Sequence, residues 1–244
     1  IGQIIAAGYG VATFHYTEAS PDRKTDSWSD GLYAWCRSRN IVHPESAIAA
    51  WAWTMSRMVD YLVTVTQVDR QRIIAAGHSR LGKTALLAGM RDRRFAAVIS
   101  NNSGCCGAAL HRREYGEALR DVVRNFPHWF LPGISPYAGK ENSMPFDQHI
   151  VLGCIAPRPL LVSSAEEDRW ADPRGECLAV QGAEPAYRLY GRKGPAGMEF
   201  PAPAADHLIN LPLAYRYRPG KHDVTPEDWQ AFIQFANSQL PAKP

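Results

Sequence analysis

Ile73-Ile74-Ala75-Ala76-Gly77-His78-Ser79-Arg80-Leu81-Gly82-Lys83-Thr84-Ala85-Leu86 is an apolar β-type run that passes through a glycine-flanked turn into an amphipathic helix. A serine at such a turn projects from the carboxyl edge of a sheet beside a helix N-terminus. The backbone N–H that follows it then points at an oxyanion. The turn is tight, so small residues must flank it. The spacing here is Gly77-x-Ser79-x-x-Gly82, one residue longer than the usual Gly-x-Ser-x-Gly. On spacing alone Ser79 is either a nucleophile or a helix cap, and the strand–turn–helix context favours the nucleophile. A phosphate-binding loop does not fit, because the leading Gly-x-x-x-x spacing is missing.

On either side of this segment, short β-type runs alternate with helical patterns, which predicts a mostly parallel sheet covered by helices. Gly10 to Tyr16, Arg72 to His78, Phe95 to Ser100 and Pro159 to Ala165 read as strands, with Tyr187 to Tyr190 and Tyr215 to Tyr217 as shorter candidates. A polar loop covers Glu18 to Asp30. A long helix is expected to begin near Pro44-Glu45-Ser46, with Ile48, Trp51, Met55, Met58, Val59 and Leu62 at helical spacing. A further helix is expected from Leu81 to Met90. The stretch from Cys105 to Gly139 is irregular, with helical pieces around Glu114 to Val123. His128-Trp129-Phe130-Leu131-Pro132-Gly133 reads as a loop over a site. Thr225, Pro226 and Asp228 mark the start of the last helix, and Trp229, Phe232, Ile233 and Phe235 give it an apolar face. No repeat and no linker divides the chain, so residues 1–244 read as one domain.

A serine hydroxyl needs a base, and the base needs an orienting acid. With a serine on a strand–helix turn, the expected chain order is Ser, acid, His. The strand Leu160 to Ala165 runs into Glu166-Glu167-Asp168-Arg169-Trp170-Ala171-Asp172-Pro173. Asp168 is the candidate acid there, with Glu166, Glu167 and Asp172 as rivals. His222, in a glycine-bearing loop before the last helix, is the candidate base, and His207 is the fallback.

Composition narrows the classes. Of the 244 residues, 45% are hydrophobic and 21% charged, which suits a globular domain rather than a disordered chain. A net charge of +3 argues against nucleic acid or an anionic membrane as partner. The basic spots Arg91-Asp92-Arg93-Arg94 and His111-Arg112-Arg113 are short and read as solvated helix ends. No apolar run reaches the ~18 residues of a membrane span. Cys36, Cys105, Cys106, Cys154 and Cys177 match no zinc spacing and are too few for a disulfide scaffold, so mostly buried free thiols are expected, with one bridge as the alternative. No metal is expected. The opening Ile1-Gly2-Gln3-Ile4-Ile5, without Met, reads as the interior of a longer protein, so the N-terminus does not indicate a compartment.

With the Ser–acid–His order in place, the chain resembles the glucuronoyl esterases, a carbohydrate esterase family of α/β-hydrolase fold, from about Gly8 to the final helix. Gly77-His78-Ser79-Arg80-Leu81-Gly82-Lys83 matches the family's Gly-x-Ser-Arg-x-Gly-Lys and accounts for the extra residue in the turn. Asn101-Asn102-Ser103-Gly104, Ile155-Ala156-Pro157-Arg158-Pro159, Glu167-Asp168-Arg169-Trp170-Ala171-Asp172-Pro173 and Gly220-Lys221-His222-Asp223 support it. The resemblance implies hydrolysis of the ester between 4-O-methyl-glucuronic acid on xylan and a lignin alcohol, with no cofactor. It implies Ser79 as nucleophile, His222 as base and Arg80 as oxyanion donor through its backbone and guanidinium. Lys83, Trp170 and, more loosely, Glu117 are implied as sugar contacts; without the resemblance Lys83 reads as a solvated cation and Trp170 as core packing.

Two departures from the family stand out. Some members carry the acid just after the strand that follows the elbow helix, where this chain has Asn102; Asp168, two residues before Trp170, is therefore the expected acid. The family's first sheet strands are absent from this chain. The expectation is an α/β-hydrolase-like, mostly parallel sheet with helices on both faces. Its implied substrates are glucuronoxylan and lignin–carbohydrate esters, and the protein is expected to be a monomer that is secreted or periplasmic. An acetyl xylan esterase is the nearest rival, and a non-catalytic carbohydrate-binding protein the rival of another class.

Overall fold

The strand that ends at Ser79 is one of five in a single sheet. The structure, a computed structural model, describes residues 1–26, 28–41, 46–202 and 206–240. The strands are β1 (Ile74–His78), β2 (Ala97–Asn101), β3 (Leu160–Ala165), β4 (His207–Ile209) and β5 (Leu213–Arg218), in the spatial order β1-β2-β3-β5-β4. The first four in that order are parallel, and β4 closes the far side antiparallel to β5. The helices are α1 (Gly2–Ala6), α2 (Tyr16–Ala19), α3 (Gly31–Ser38), α4 (Ala47–Leu62), α5 (Arg80–Arg91), α6 (Leu119–Asn125), α7 (Gln148–Gly153), α8 (Pro173–Arg188) and α9 (Pro226–Gln239).

Strand periodicity sorts the apolar side chains between two faces. Ala75, Val98, Leu160, Val162, Leu213 and Tyr215 pack against Leu86 of α5, Leu152 of α7 and Val180 of α8. The alternate residues Ala97, Ile99, Leu161 and Ala214 pack against Phe232 and Phe235 of α9. Helices thus cover both faces. Parallel pairing sends the carboxyl ends of β1, β2, β3 and β5 to one edge, where ligand sites of open α/β sheets lie. His78 stands opposite Asn101, and Asn101 opposite Ser163. On its other side β1 pairs with no described strand.

Several boundaries differ from the sequence expectation. Gly10 to Tyr16 is not a strand. Residues 10–15 find no ladder partner among the described residues, and Tyr16 opens α2. Tyr187 to Tyr190 is the end of α8 and a turn. Tyr187 is buried while Leu189 and Tyr190 are exposed, so the run does not alternate as a strand must. The short antiparallel β4 gave no sequence signal. The helical piece placed at Glu114 to Val123 forms later, over Leu119–Asn125. Pro44 and Glu45 lie outside the described residues. Ser46 caps α4, its hydroxyl accepting from Ala49 N–H at 3.3 Å. At α9 the capping box is complete: Thr225 Oγ1 accepts from Asp228 N–H, and the Asp228 carboxylate accepts from Thr225 N–H. All five thiols are free, with Cys36, Cys105 and Cys177 buried.

Candidate active site

Ser79 sits at φ 57° and ψ −125°, a strained conformation for a residue with a side chain and the signature of a sharp strand-to-helix elbow. Its hydroxyl does not cap α5, so the helix-cap reading fails. Close packing explains both glycines. A Cβ on Gly77 would lie 2.0 Å from the Leu81 carbonyl oxygen, and one on Gly82 would crowd Ser103 and the Asn101 carbonyl. The second glycine belongs at position 82 because that residue, not Leu81, faces the end of β2. Ser79 N–H donates to the Asn101 carbonyl at 2.8 Å, fixing the elbow to β2. The first N–H groups of α5, beginning with Arg80, have no carbonyl behind them in the helix.

Across the sheet edge, His222 Nδ1 lies 2.5 Å from Asp168 Oδ2. Asn102 Nδ2 donates to the same oxygen at 2.9 Å, so the residue that cannot be the acid supports it. Burial opposes ionisation of Asp168, but hydrogen bonds from His222, Asn102 and the Ala171 N–H, with the His222 charge, hold its carboxyl below the usual range. The rivals lie elsewhere. Asp172 stands at the N-cap position of α8 without a side-chain cap bond, and its carboxylate accepts from Arg113 Nε at 2.8 Å. Glu167 is exposed, and Glu166 is half-buried at the end of β3. His207, the fallback base, is exposed on β4.

The Arg80 guanidinium is tied to the Asp22 carboxylate and lies 5.1 Å from the centroid of the Trp129 ring. Asp22 also accepts from His128 Nε2 at 2.8 Å and Trp129 Nε1 at 2.7 Å. Burial opposes its charge, but these three hydrogen bonds outweigh it and hold the carboxyl at about 2. Nothing in Pro21-Asp22-Arg23 distinguishes this aspartate in sequence, since its partners stand tens of residues away. In the Trp-bearing segment expected to form a loop over a site, residues 127–131 are turn and irregular backbone; His128 and Trp129 are buried, with Trp129 stacked on Phe126, and Leu131 is exposed.

Lys83 is buried rather than solvated. Its Nζ donates to the carbonyls of Ser103 at 2.5 Å and Cys105 at 2.7 Å, and stands 3.7 Å from Glu117 Oε2. Glu117 N–H donates to the Trp170 carbonyl at 2.8 Å. Trp170 is 56% exposed and is therefore not core packing. The three implied sugar contacts thus lie on segments that touch.

Glu176 on α8 has no signal in sequence, yet it organises this edge. It accepts from Ser103 N–H and Gly104 N–H, both at 2.9 Å, and from Ser164 Oγ at 2.5 Å. Burial pushes its carboxyl up to about 7 against those hydrogen bonds. A carboxyl raised on folding stabilises fully below its unfolded value and loses that contribution as pH rises through the folded value. Stability is expected to fall from about pH 4.5 to 7 by up to roughly 3 kcal/mol. Urea titrations at pH 5 and pH 8 measure this, and Glu176→Gln should remove most of the difference. Cys105, Cys106 and His111, which sequence spacing did not flag, form a group able to hold a metal ion among the described residues. In it, His111 Nε2 accepts the Cys106 N–H at 3.1 Å.

The sheet, the Ser79 elbow and the His222–Asp168 contact have the arrangement of an α/β-hydrolase-like fold. The family described as glucuronyl esterase, fungi, matches residues 2–191. The chain therefore belongs to the glucuronoyl esterase family of carboxylic ester hydrolases. A carbohydrate esterase from an unknown prokaryotic organism is 45% identical over 244 residues, covering 98% of this chain and 56% of that protein. The 4-O-methyl-glucuronoyl methylesterase of Podospora anserina is 31% identical over 171 residues, covering 66% of this chain and 36% of that protein. A solved glucuronoyl esterase from Solibacter usitatus superposes with a TM-score of 0.91 at 43% identity, over 98% of this chain and 61% of that one. The chain thus spans little more than half the length of the first curated relative.

Proposed function

We propose that this chain hydrolyses esters of 4-O-methyl-glucuronic acid, as borne on xylan and joined to lignin alcohols, through a glucuronoyl-enzyme intermediate. The observation that carries this reading is the His222–Asp168 pair, 2.5 Å apart, at the sheet edge that bears the Ser79 elbow. Ser79 Oγ attacks the ester carbonyl carbon while His222 Nε2 takes its proton. The carbonyl oxygen becomes an oxyanion facing the free N–H groups at the start of α5. The C–O bond to the alcohol breaks, and the alcohol leaves with the proton from His222. Water, deprotonated by His222, then attacks the acyl carbon, and Ser79 leaves with that proton. Every proton in the cycle moves between side chains, substrate and water, so no cofactor enters.

The uronate substrate is supported by the name of the Podospora relative and by Lys83, Glu117 and Trp170 beside the elbow. The decisive experiment compares hydrolysis of a benzyl glucuronate ester with that of an aryl acetate. A clear preference for the glucuronate supports this reading; a preference for the acetate favours the acetyl xylan esterase. Lys83→Ala is expected to lower kcat/KM by about 10–100-fold on the glucuronate and much less on the acetate, because only the former offers ring hydroxyls. Equal losses on both substrates would assign Lys83 to holding the Ser103 and Cys105 carbonyls alone. No helix among the described residues is long and apolar enough to cross a membrane. Polymeric xylan as substrate calls for action outside the cytoplasm, by a monomer able to reach a solid surface.

A further inference from the structure

A single hydrogen bond fixes one atom of an imidazole but leaves the ring free to turn about that bond. His222 is in this position: its Nδ1 is held by Asp168, while its side chain is 44% exposed. The freedom is removed by His78, the residue immediately before Ser79. The two imidazoles pack with ring centroids 4.4 Å apart and planes inclined at 47°. His78 is itself held, because Asn101 Nδ2 lies 3.0 Å from its Nδ1. The buried Asn101 amide also donates to the Asp223 carbonyl at 3.2 Å, one residue beyond His222. A flipped amide would set Oδ1 against that carbonyl oxygen, so the orientation follows from the partners. The same Asp223 carbonyl accepts from Arg218 Nη2 at 2.9 Å, and Arg218 Nε donates to the buried Asp228 at the start of α9. Through its backbone carbonyl, Asn101 also receives the N–H of Ser79.

We infer that His78 and Asn101 are positioning residues that clip the base loop to the nucleophile elbow and set the plane of the His222 ring. This rests on the reading of Ser79 and His222 as nucleophile and base. It gives the residue between Gly77 and Ser79 a task that the tight turn does not demand of it. The wall itself is uncharged. Burial and the neighbouring His222 charge press His78 down to about 4, against the pull of Asp168, Asp228 and Asp223. An unprotonated His78 Nδ1 is also what the Asn101 amide requires of an acceptor.

The test is a set of His78 variants assayed on benzyl glucuronate and aryl acetate, with kcat and KM separated and thermal melting recorded. His78→Ala is expected to lower kcat by about 10–100-fold on both substrates, the cost of a misoriented base, with KM within about twofold. His78→Phe keeps the wall without the acceptor and should recover most of that loss. In a His222→Ala background, His78→Ala should cost almost nothing further, because the two residues act as a unit. Unchanged kcat in His78→Ala, a Phe variant as poor as Ala, or a KM that rises in step with the loss would each overturn the clip. If His222→Ala itself remains active, it is the base assignment that fails.

Discussion

Ser79→Ala is expected to lower turnover of a benzyl glucuronate ester by roughly 10⁴–10⁶-fold, since Ser79 Oγ is the group proposed to form the acyl-enzyme bond. The fold should survive. The hydroxyl caps no helix, and alanine meets the same steric demand at φ 57° as serine does. Melting and far-UV spectra should therefore match the parent, while burst kinetics disappear. A variant that keeps turnover within tenfold would remove Ser79 from the chemistry and leave the elbow as a strained turn without a task.

Asp168→Asn should lower kcat by about 10³–10⁴-fold with little change in KM. The substitution is nearly isosteric, so its effect reads electronic and orientational losses rather than a cavity. Asp168 Oδ2 accepts from both Asn102 and His222, and Oδ1 receives the Ala171 N–H at 3.4 Å. An asparagine must turn its NH₂ toward one of these donors whichever way it sits. Either His222 loses the partner that fixes its tautomer, or the Ala171 N–H loses its side-chain acceptor and keeps only the Asp168 carbonyl. The imidazolium formed during acyl transfer also loses its counter-charge. Matching Glu166→Gln, Glu167→Gln and Asp172→Asn variants complete the measurement. A large kcat loss in one of them, with Asp168→Asn near the parent, would move the acid to that position.

Local patterns made the elbow, its neighbouring strands and the last helix legible. Ile73 to Leu86 passes from a β-type run to a helical one through two glycines, and Thr225 with Asp228 is a capping box in four residues. Chain order then made His222 and Asp168 legible, because each follows a strand into a loop at the same sheet edge. Short apolar runs were ambiguous: Tyr187 to Tyr190 carries the residues of a strand but ends a helix, and Gly10 to Tyr16 lacks a ladder. Asp22 was invisible, since its role depends on Arg80, His128 and Trp129 arriving from distant segments. His78 had no assigned role in sequence, because ring packing against His222 exists only after β1 and the loop of His222 meet. Glu176 was hidden for the same reason: its partners come from β3 and from the loop after β2.

Arg72 stands at the foot of β1, the strand that runs into the Ser79 elbow. Ile73-Ile74-Ala75-Ala76 contains neither proline nor a charged side chain, so Arg72 is the charge nearest to it on the amino side. That guanidinium is partly committed, donating to the Leu240 carbonyl and lying over Tyr9. Arg72 thus moors the amino end of the strand to the residue that follows α9, while the Ser79 N–H moors its carboxyl end to β2, so the elbow sits on a strand held at both ends.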